Sequence, residues 1–502
     1  MITKSAALQQ DPRLERERDR HERLTLIATS ACTVLVVGFV AAVNLAVPLL
    51  ASSRLRPDSS QLLWIVDAYV IVFACLVIPA GALGDRVGRK GCVMAGLAVF
   101  AAGLVTCALA TSVPAMLTGR IVSGFGAALV LPNCVGVLVH ATQPERRKRA
   151  LGMWGAISGL GGVVGNLAGG ALLNTGSWQA LFWGAVPVTL LCGVAIGLGA
   201  TRSARVFRSI DVPGTALLVA ATFLLFGGII EGPQHGWHSA LVLGAFVLGV
   251  LLSVAWVLVE LRIEHPLLDP RLFRAQLLTG SSVGMVTLWF GSFGFFYLNA
   301  SLMQYSRGFS VLQAGLATLP LTVPMVLLGR LVPALAARVG VWPTLAGGFV
   351  AIGAGLLGLS TATHSPFAGY AAWQVVLGVG FALALPVLTA ELTSSLPAVQ
   401  AGVAGGLQSA TREFGSALGV AVAGTITVAG FAAHLPTSLQ SHHPVPRTVA
   451  GALALDPGAH AGIADAFVSG ANTALRAGAV VTLLAGVLVV LVTRRASRAR
   501  AH

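Results

Sequence analysis

The stretch QLLWIVDAYVIVFACLVIPAGALGDRVGRKG, residues 61–91, decides the fold. Between Gln61 and Leu83 the one charged side chain is Asp67. As a helix rising about 1.5 Å per residue, this run can cross a hydrocarbon core of roughly 30 Å. Asp85, Arg86, Arg89 and Lys90 follow at once, and then a new apolar run begins. That alternation marks a chain that threads a membrane repeatedly. Of the 502 residues, 56% are hydrophobic and 10% charged, and mean hydropathy is +0.84. A soluble protein of this size could not hide so much apolar surface, so the bilayer is part of its solvent. In hydrocarbon every backbone N–H and C=O needs an internal partner, which leaves helices or closed barrels. Barrel strands alternate apolar and polar residues at short spacing, whereas the apolar runs here are about 20 residues or longer. The expected fold class is all-α and integral to the membrane.

Fourteen spans are predicted, at 25–50, 61–83, 91–111, 114–138, 151–174, 181–200, 213–230, 239–260, 278–304, 312–337, 343–362, 367–390, 399–432 and 471–493. Almost nothing separates the third from the fourth, so a count of thirteen stays open there. An even count puts both termini on one side, and basic residues choose the side. Of 32 Lys and Arg, 24 fall in the tails and loops of one side, while the other holds only Arg54, Arg56, Arg307 and Arg447. Both termini are therefore predicted to be cytoplasmic. This placement also explains the net charge of +14 as topology, with no nucleic-acid partner. The first apolar run is too long for a signal-peptide core, so it is expected to be retained.

Cys32, Cys75, Cys92, Cys107, Cys134 and Cys192 lie in or beside apolar runs without CxxC spacing and read as free core thiols. The mixed-charge segment RLERERDRHER (13–23) reads as a solvated tail. The long loop 433–470 carries His434, His442, His443 and His460 at spacings unsuited to a metal, so no metal site is assigned. A faint repeat aligns GALGDRVGRK (81–90) with PALAARVGVW (333–342). Two equivalent halves, spans 1–6 and 9–14, with spans 7 and 8 inserted, account for it. The expected divisions are a tail at 1–24, a six-helix bundle at 25–200, an inserted pair at 211–262 and a second bundle at 276–495 that contains the loop 433–470.

In GALGDRVGRKG, Gly81 and Gly88 permit close packing and a tight turn, and Asp85 can sit at the start of the next helix, where a carboxylate is favoured. A generic basic loop needs none of these. The pattern GxLxDRxGRK between spans two and three resembles the signature loop of the major facilitator superfamily. LTGRIVSGFGAA (117–128), around Arg120, is similar to that family's fourth-helix motif. WIVDAY (64–69), ELRIEHPLLDPRLFR (260–274), QYSRGFSVLQAG (304–315) and TREFGSALGVAV (411–422) resemble its fourteen-helix drug:proton antiporter branch. The resemblance covers most of residues 25–495. It implies two six-helix bundles plus two inserted helices, alternating access, and a gate loop formed by Gly81, Asp85, Arg86, Gly88 and Arg89. Two positions depart from that branch. Phe39, in GFVAAVNLAVP (38–48), stands where an Asp is usual. The fifth-span antiporter motif ends GNLAGG (165–170), with Asn166 in place of Pro. Gly165, Asn166 and Gly169 are the expected residues of the helix at the interface between halves.

Charge in the middle of a bilayer costs about 2.5 to more than 10 kcal/mol, so it is kept where it faces a cavity or a partner. Glu413 lies near the middle of its span beside Arg412, among the small residues Ser409, Ala410, Ser416 and Ala417. Burial favours a neutral carboxyl and a nearby guanidinium favours a charged one, so a group balanced between them can load and release a proton. Asp67 and Arg120 lie about 10 Å from the same end of their helices, and a salt bridge between them is expected. Either pair has a static structural reading as well. Trp289, Phe290, Phe293, Phe296 and Tyr297 make one helical stripe, which is more often core. The resemblance makes Trp289, Phe293, Phe296 and Tyr297 candidates for a substrate cavity, with Phe39, Asn44 and Gln304 beside them.

No GxxxxGK[ST], GxSxG or HExxH occurs, so neither an ATP-driven pump nor a familiar enzyme site is indicated. The leading expectation is a proton-coupled exporter of small hydrophobic or cationic molecules, a monomer in a bacterial cytoplasmic membrane. It needs no cofactor beyond a proton gradient, and Asp67, Glu413, Arg120 and Arg412 do the coupling. An uncoupled or differently coupled facilitator of small molecules and a non-transporting membrane sensor or scaffold remain as rivals. A green fluorescent protein, which folds only in the cytoplasm of bacteria when exported through the general secretory route, is expected to fluoresce when fused to either terminus. A dark fusion at one end would overturn the even span count.

Overall fold

The computed structural model describes residues 12–499 except 52, 56, 58, 175, 202–210, 265, 267, 330, 397–400, 442–444, 447 and 448. Lys4, Arg56, Arg202, Arg205, Arg208, Arg330, His442, His443, Arg447 and Arg500 thus lie outside the described residues. The described chain is helical, without strands. The first half is built from α1 (Pro12–Ala51), α2 (Ser59–Val87), α3 (Arg89–Ala108), α4 (Val113–Ala141), α5 (Arg147–Gly159), α6 (Gly161–Leu173) and α7 (Gln179–Gly199). The inserted pair is α8 (Val212–His235) and α9 (Ala240–Glu260). The second half starts with α10 (Gln276–Arg307), α11 (Val311–Leu316), α12 (Leu319–Gly329) and α13 (Val332–Val339). It continues with α14 (Val341–Thr361), α15 (Phe367–Ser394), α16 (Ala401–His434), the short α17 (Thr437–Gln440) and α18 (Val449–Leu455), and α19 (His460–Ala499).

Thirteen described helices are long and apolar enough to span a membrane, and a bent pair makes fourteen. The third and fourth spans are separate helices: Ser112 caps α4 by accepting from the Ala115 N–H. The uncertainty in the count falls instead on the tenth span, which bends by 61° between Gly329 and Val332. The expected tail helix boundary also moves, because 13–23 continues α1 as helix. Its Asp19 pairs with Arg146 at 2.5 Å. Much of the 433–470 segment is folded. Leu435, Leu439, Val449, Ala452 and Ile463 make a small core with Phe431, and helix resumes at His460.

Two large apolar cores form, one from residues of α1 to α7 and one from α10 to α19. Gly88 and Gly340, the aligned glycines of the repeat, both have positive φ, 113° and 104°. Each ends one helix and begins the next, a conformation that a side chain disfavours. The inserted pair packs mainly on itself, and α8 also touches α2 and α16. Leu241, Val247, Leu251, Val254 and Leu258 of α9 are exposed, as suits a helix that faces lipid.

Helices in lipid lack a hydrophobic drive to associate and rely on close backbone approach at small residues. A Cβ on Gly165 would collide with the Gly38 backbone, and one on Gly169 would lie 2.7 Å from Ala42 Cβ. These glycines pack α6 on α1 within the first half, and α6 also touches α11 of the second half. The fifth span breaks at Leu160, not at Asn166. Its preceding segment makes the contact between halves: Gly152 faces Pro333, Gly155 faces Thr389 and Gly159 faces Met325.

Gly165→Leu overpacks the α1–α6 contact and is expected to destabilise the protein by about 1–3 kcal/mol, read as a lower melting temperature in detergent. Gly162→Leu, whose Cβ meets nothing within 4 Å, is expected to leave the melting temperature near that of the parent. Equal melting for both would refute the packing.

Candidate functional site

Parallel helices α2 and α4 carry Asp67 and Arg120 to the same level, about two turns from their shared end. Arg120 is fully buried. Its Nε donates to the Ile65 carbonyl at 2.7 Å and its Nη2 to the Val66 carbonyl at 3.1 Å. No ion pair within 4.0 Å joins Arg120 to Asp67. The expected salt bridge is corrected accordingly. The guanidinium takes the two carbonyls just before Asp67, and Nη1 keeps no hydrogen-bond partner. Asp67 itself is half-buried. Its helix packs against α4, which carries Arg120, and against α8, which carries Glu231.

Aromatic rings continue the site inward. The Arg120 guanidinium lies 4.6 Å from the Tyr69 ring centre and 5.9 Å from that of Phe39. Tyr69 stacks on Phe73 at 6.3 Å, one turn along α2. Beyond Phe73, at 5.9 Å, sits the Arg412 guanidinium of α16. Arg412 Nε and Nη2 approach Glu413 Oε1 at 2.9 and 2.8 Å. Two rings thus lie between two guanidiniums, one from each half, each with a carboxylate beside it. Contacts of this kind are worth about 0.5–2 kcal/mol each, more where water is excluded. The Glu413 side chain is 15% exposed, so neither carboxylate is sealed from the surface.

The opposite end of the same helices is closed. Residues 81–87 are the last turns of α2, and only Gly88 breaks the chain before α3. Asp85 Oδ1 accepts from Arg89 Nε at 2.7 Å, and Arg89 Nη1 donates to the Gly136 carbonyl at 3.1 Å. Asp85 Oδ2 accepts from the Val403 N–H at 3.3 Å. That N–H lies in the first turn of α16, where backbone donors have no partner inside the helix and the dipole favours an anion. The carboxylate was expected at the start of the next helix along the chain; it serves a helix of the other half as well. Beside it, a Cβ on Gly405 would lie 2.5 Å from the Pro132 carbonyl, and one on Gly406 would lie 2.9 Å from Ile78 Cα. Small residues let α16 seat directly on α2 and α4.

Three comparisons bear on this arrangement. Residues 29–210 match the family model described as Major Facilitator Superfamily. The chain is 31% identical over 498 residues to the tetracenomycin C resistance and export protein of Streptomyces glaucescens, covering 94% of this chain and 91% of that one. It is 33% identical to the methylenomycin A resistance protein of Streptomyces coelicolor, covering 78% and 84%. The chain belongs to the major facilitator superfamily. It is a multi-pass membrane protein of a family of small-molecule transporters, not enzymes. The crystal structure of a human organic anion transporter shares the fold, with TM-score 0.62 at 15% identity, over 93% of this chain and 99% of that one.

Of the superfamily cavity candidates, two are core side chains. Phe39 is 4% exposed and packs edge-on against Phe100 and Phe182. Trp289 is also 4% exposed and packs on Phe293 and Phe381. Their expected place on a cavity wall is corrected: bundle packing claims them. Phe293, Phe296 and Gln304 are half-buried, and Tyr297 and Asn44 are exposed. Gly81 is buried and Arg86 and Asn166 are half-buried. All six cysteines are buried and free.

Several residues escaped sequence reasoning. Tyr69 and Phe73 sit in an apolar run, where only their i, i+4 spacing and their distance from Asp67 mark them. Asn133, fully buried, donates to the Ala80 and Leu129 carbonyls and fills the space that a side chain on Gly84 would need. Glu231 falls one residue past a predicted span.

Asp85→Asn removes a charge-assisted link worth about 1.5–3 kcal/mol. It is expected to raise maleimide labelling of a cysteine placed at Ser409, buried on α16, at least about tenfold. Labelling at the parent rate would mean that Asp85 does not hold this end shut.

Proposed function

We propose that this protein is a proton-coupled secondary exporter of small hydrophobic or cationic molecules, natural products or drugs, working as a monomer by alternating access. Both termini face the cytoplasm of a bacterial cell, as the Lys and Arg bias favours. The names of two relatives, a resistance and export protein and a resistance protein, point the same way. The observation that carries the reading is a half-buried carboxylate, Asp67, beside a fully buried guanidinium that is bonded elsewhere.

The chemistry follows from that geometry. A protonated Asp67 is neutral and leaves Arg120 on the Ile65 and Val66 carbonyls. Once the proton leaves, the carboxylate competes for Arg120, whose Nη1 lacks a partner. Drawing the guanidinium away from α2 carbonyls loosens α4 against α2. The Tyr69 and Phe73 rings pass the change toward Arg412 and Glu413, at the seam between halves. A cationic substrate and a proton then compete for the same carboxylates, which meets the requirement for exchange. A ligand moves such an equilibrium only by its unequal affinity for the two states. The first-span Asp usual in the drug:proton branch is replaced by Phe39, whose ring lies over Arg120. Coupling in this chain therefore rests on Asp67 and Glu413.

In liposomes with an acidic interior, the purified protein is expected to accumulate ethidium against its gradient. Glu413→Gln and Asp67→Asn are each expected to cut that uphill movement at least about tenfold, a loss of roughly 1.4 kcal/mol or more in transition-state terms. A variant that pumps like the parent takes its residue out of the mechanism. Movement of ethidium to equilibrium alone would identify a facilitator, and no movement across a broad substrate panel would favour a scaffold.

A further inference from the structure

We propose that the inserted pair supplies a proton path, His235 to Glu231 to Asp67, between the outer aqueous face and the coupling carboxylate. The inference rests on the proton-coupled reading above.

The placement comes first. Val403 of α16 meets Asp85 of α2, and Phe226 of α8 meets Phe414 of α16, so at about 1.5 Å per residue Glu231 stands about 24 Å and Asp67 about 27 Å from the Asp85 level. Helices α8 and α2 are in contact, and α8 also touches α16. Two side-chain contacts pin the pair there. Phe226 packs edge-on against Phe414 at 6.0 Å, and Trp237 Nε1 donates to Thr425 Oγ1 at 2.9 Å. Glu231 thus sits on a helix packed against the one that carries Asp67. One turn further out, His235 Nδ1 lies 2.8 Å from Glu231 Oε2. The His235 side chain is 54% exposed and that of Glu231 20%, so exposure falls stepwise from solvent inward.

The charged and titratable groups around Glu231 are few. On α8 itself there is His235. From α2 comes Asp67, with Tyr69 two residues further along. Helix α16 brings Arg412, Glu413 and, at its end, His434. Helix α9 has one ionisable group, Glu260, at its opposite end. A membrane helix does not need a carboxylate at this depth for packing, and Glu231 sits with one side chain able to exchange protons with water and one that the exporter must load. An imidazole can both accept and donate a proton, so the exposed His235 can take one from water. Its Nδ1–H then passes a proton to Glu231 Oε2, and the protonated Glu231 passes one to the Asp67 carboxylate. Each donor is restored by the next proton from outside, and one proton moves inward for each loading of Asp67.

The test uses the full chain in liposomes with an acidic lumen, reading ethidium accumulation at several luminal pH values. Glu231→Gln is expected to slow the initial rate about tenfold, the low end of what a placed proton-transfer group contributes. Glu231→Asp should restore part of it. His235→Gln, at an exposed position that tolerates change, should flatten the dependence of rate on luminal pH between about 5 and 8. A merely structural Glu–His pair would leave that profile unmoved. Parent rate and parent pH profile in both Glu231→Gln and His235→Gln would overturn the path while leaving the exporter intact. Absence of proton-driven accumulation in the parent protein would instead overturn both. Should Glu231→Gln fail to reach the membrane, the pH profile of His235→Gln decides alone.

Discussion

A guanidinium with no exposure to solvent has to be held by something, and Arg120 is held by backbone. The carbonyls of Ile65 and Val66 take two of its donors and the Tyr69 ring takes its face. Carbonyl dipoles and ring quadrupoles stabilise a cation without introducing a second ion that must itself be desolvated. A buried ion pair often gains less than its desolvation costs. The arrangement thus keeps the arginine in place while its neighbour Asp67 stays free to change charge. Were Asp67 locked to Arg120, the carboxylate would be a structural group. Because it is not, a charge change one residue from the Arg120 hydrogen bonds can alter how α4 sits on α2.

The same helices carry both ends of the proposed cycle. Helix α2 presents Asp67, Tyr69 and Phe73 along its length and then Asp85 in its last turn. Helix α16 answers with Arg412 and Glu413 at mid-height and the Val403 N–H in its first turn. Closure at the Gly88 end comes from a carboxylate on a helix terminus and from backbone approach at Gly405 and Gly406. Both depend on position to within a fraction of an ångström. A seam of this kind is either engaged or released, with little between, which suits a protein that alternates between two states.

The inserted pair looks peripheral by burial, since α9 shows lipid a row of exposed aliphatic side chains. Its partner α8 is not peripheral. It lies on α2 and α16, the two helices that carry the proposed coupling groups, and it places an acid at the height of Asp67. Two extra spans therefore bring an acid against the helices of the site without entering either bundle.

Much of the fold was legible in the residues alone. Apolar runs about 20 residues long can only be helices in hydrocarbon, and the basic residues between them bias the topology, so span number and fold class follow from local chemistry. The repeat was visible through Arg86 and Arg338 and through Gly88 and Gly340, since a positive φ narrows the choice of residue. Partners were not legible. Whether Phe39 and Trp289 face a cavity or a core, whether Gly165 meets its own half or the other, and which oxygens Arg120 chooses depend on helices distant in the chain. Hydrophobicity is a property of a residue, whereas a hydrogen bond or a close backbone contact belongs to two. Only the tertiary structure brought Ile65 and Val66 to Arg120, Val403 to Asp85 and Glu231 to the level of Asp67, because each pairing is set by how three or more helices pack at once.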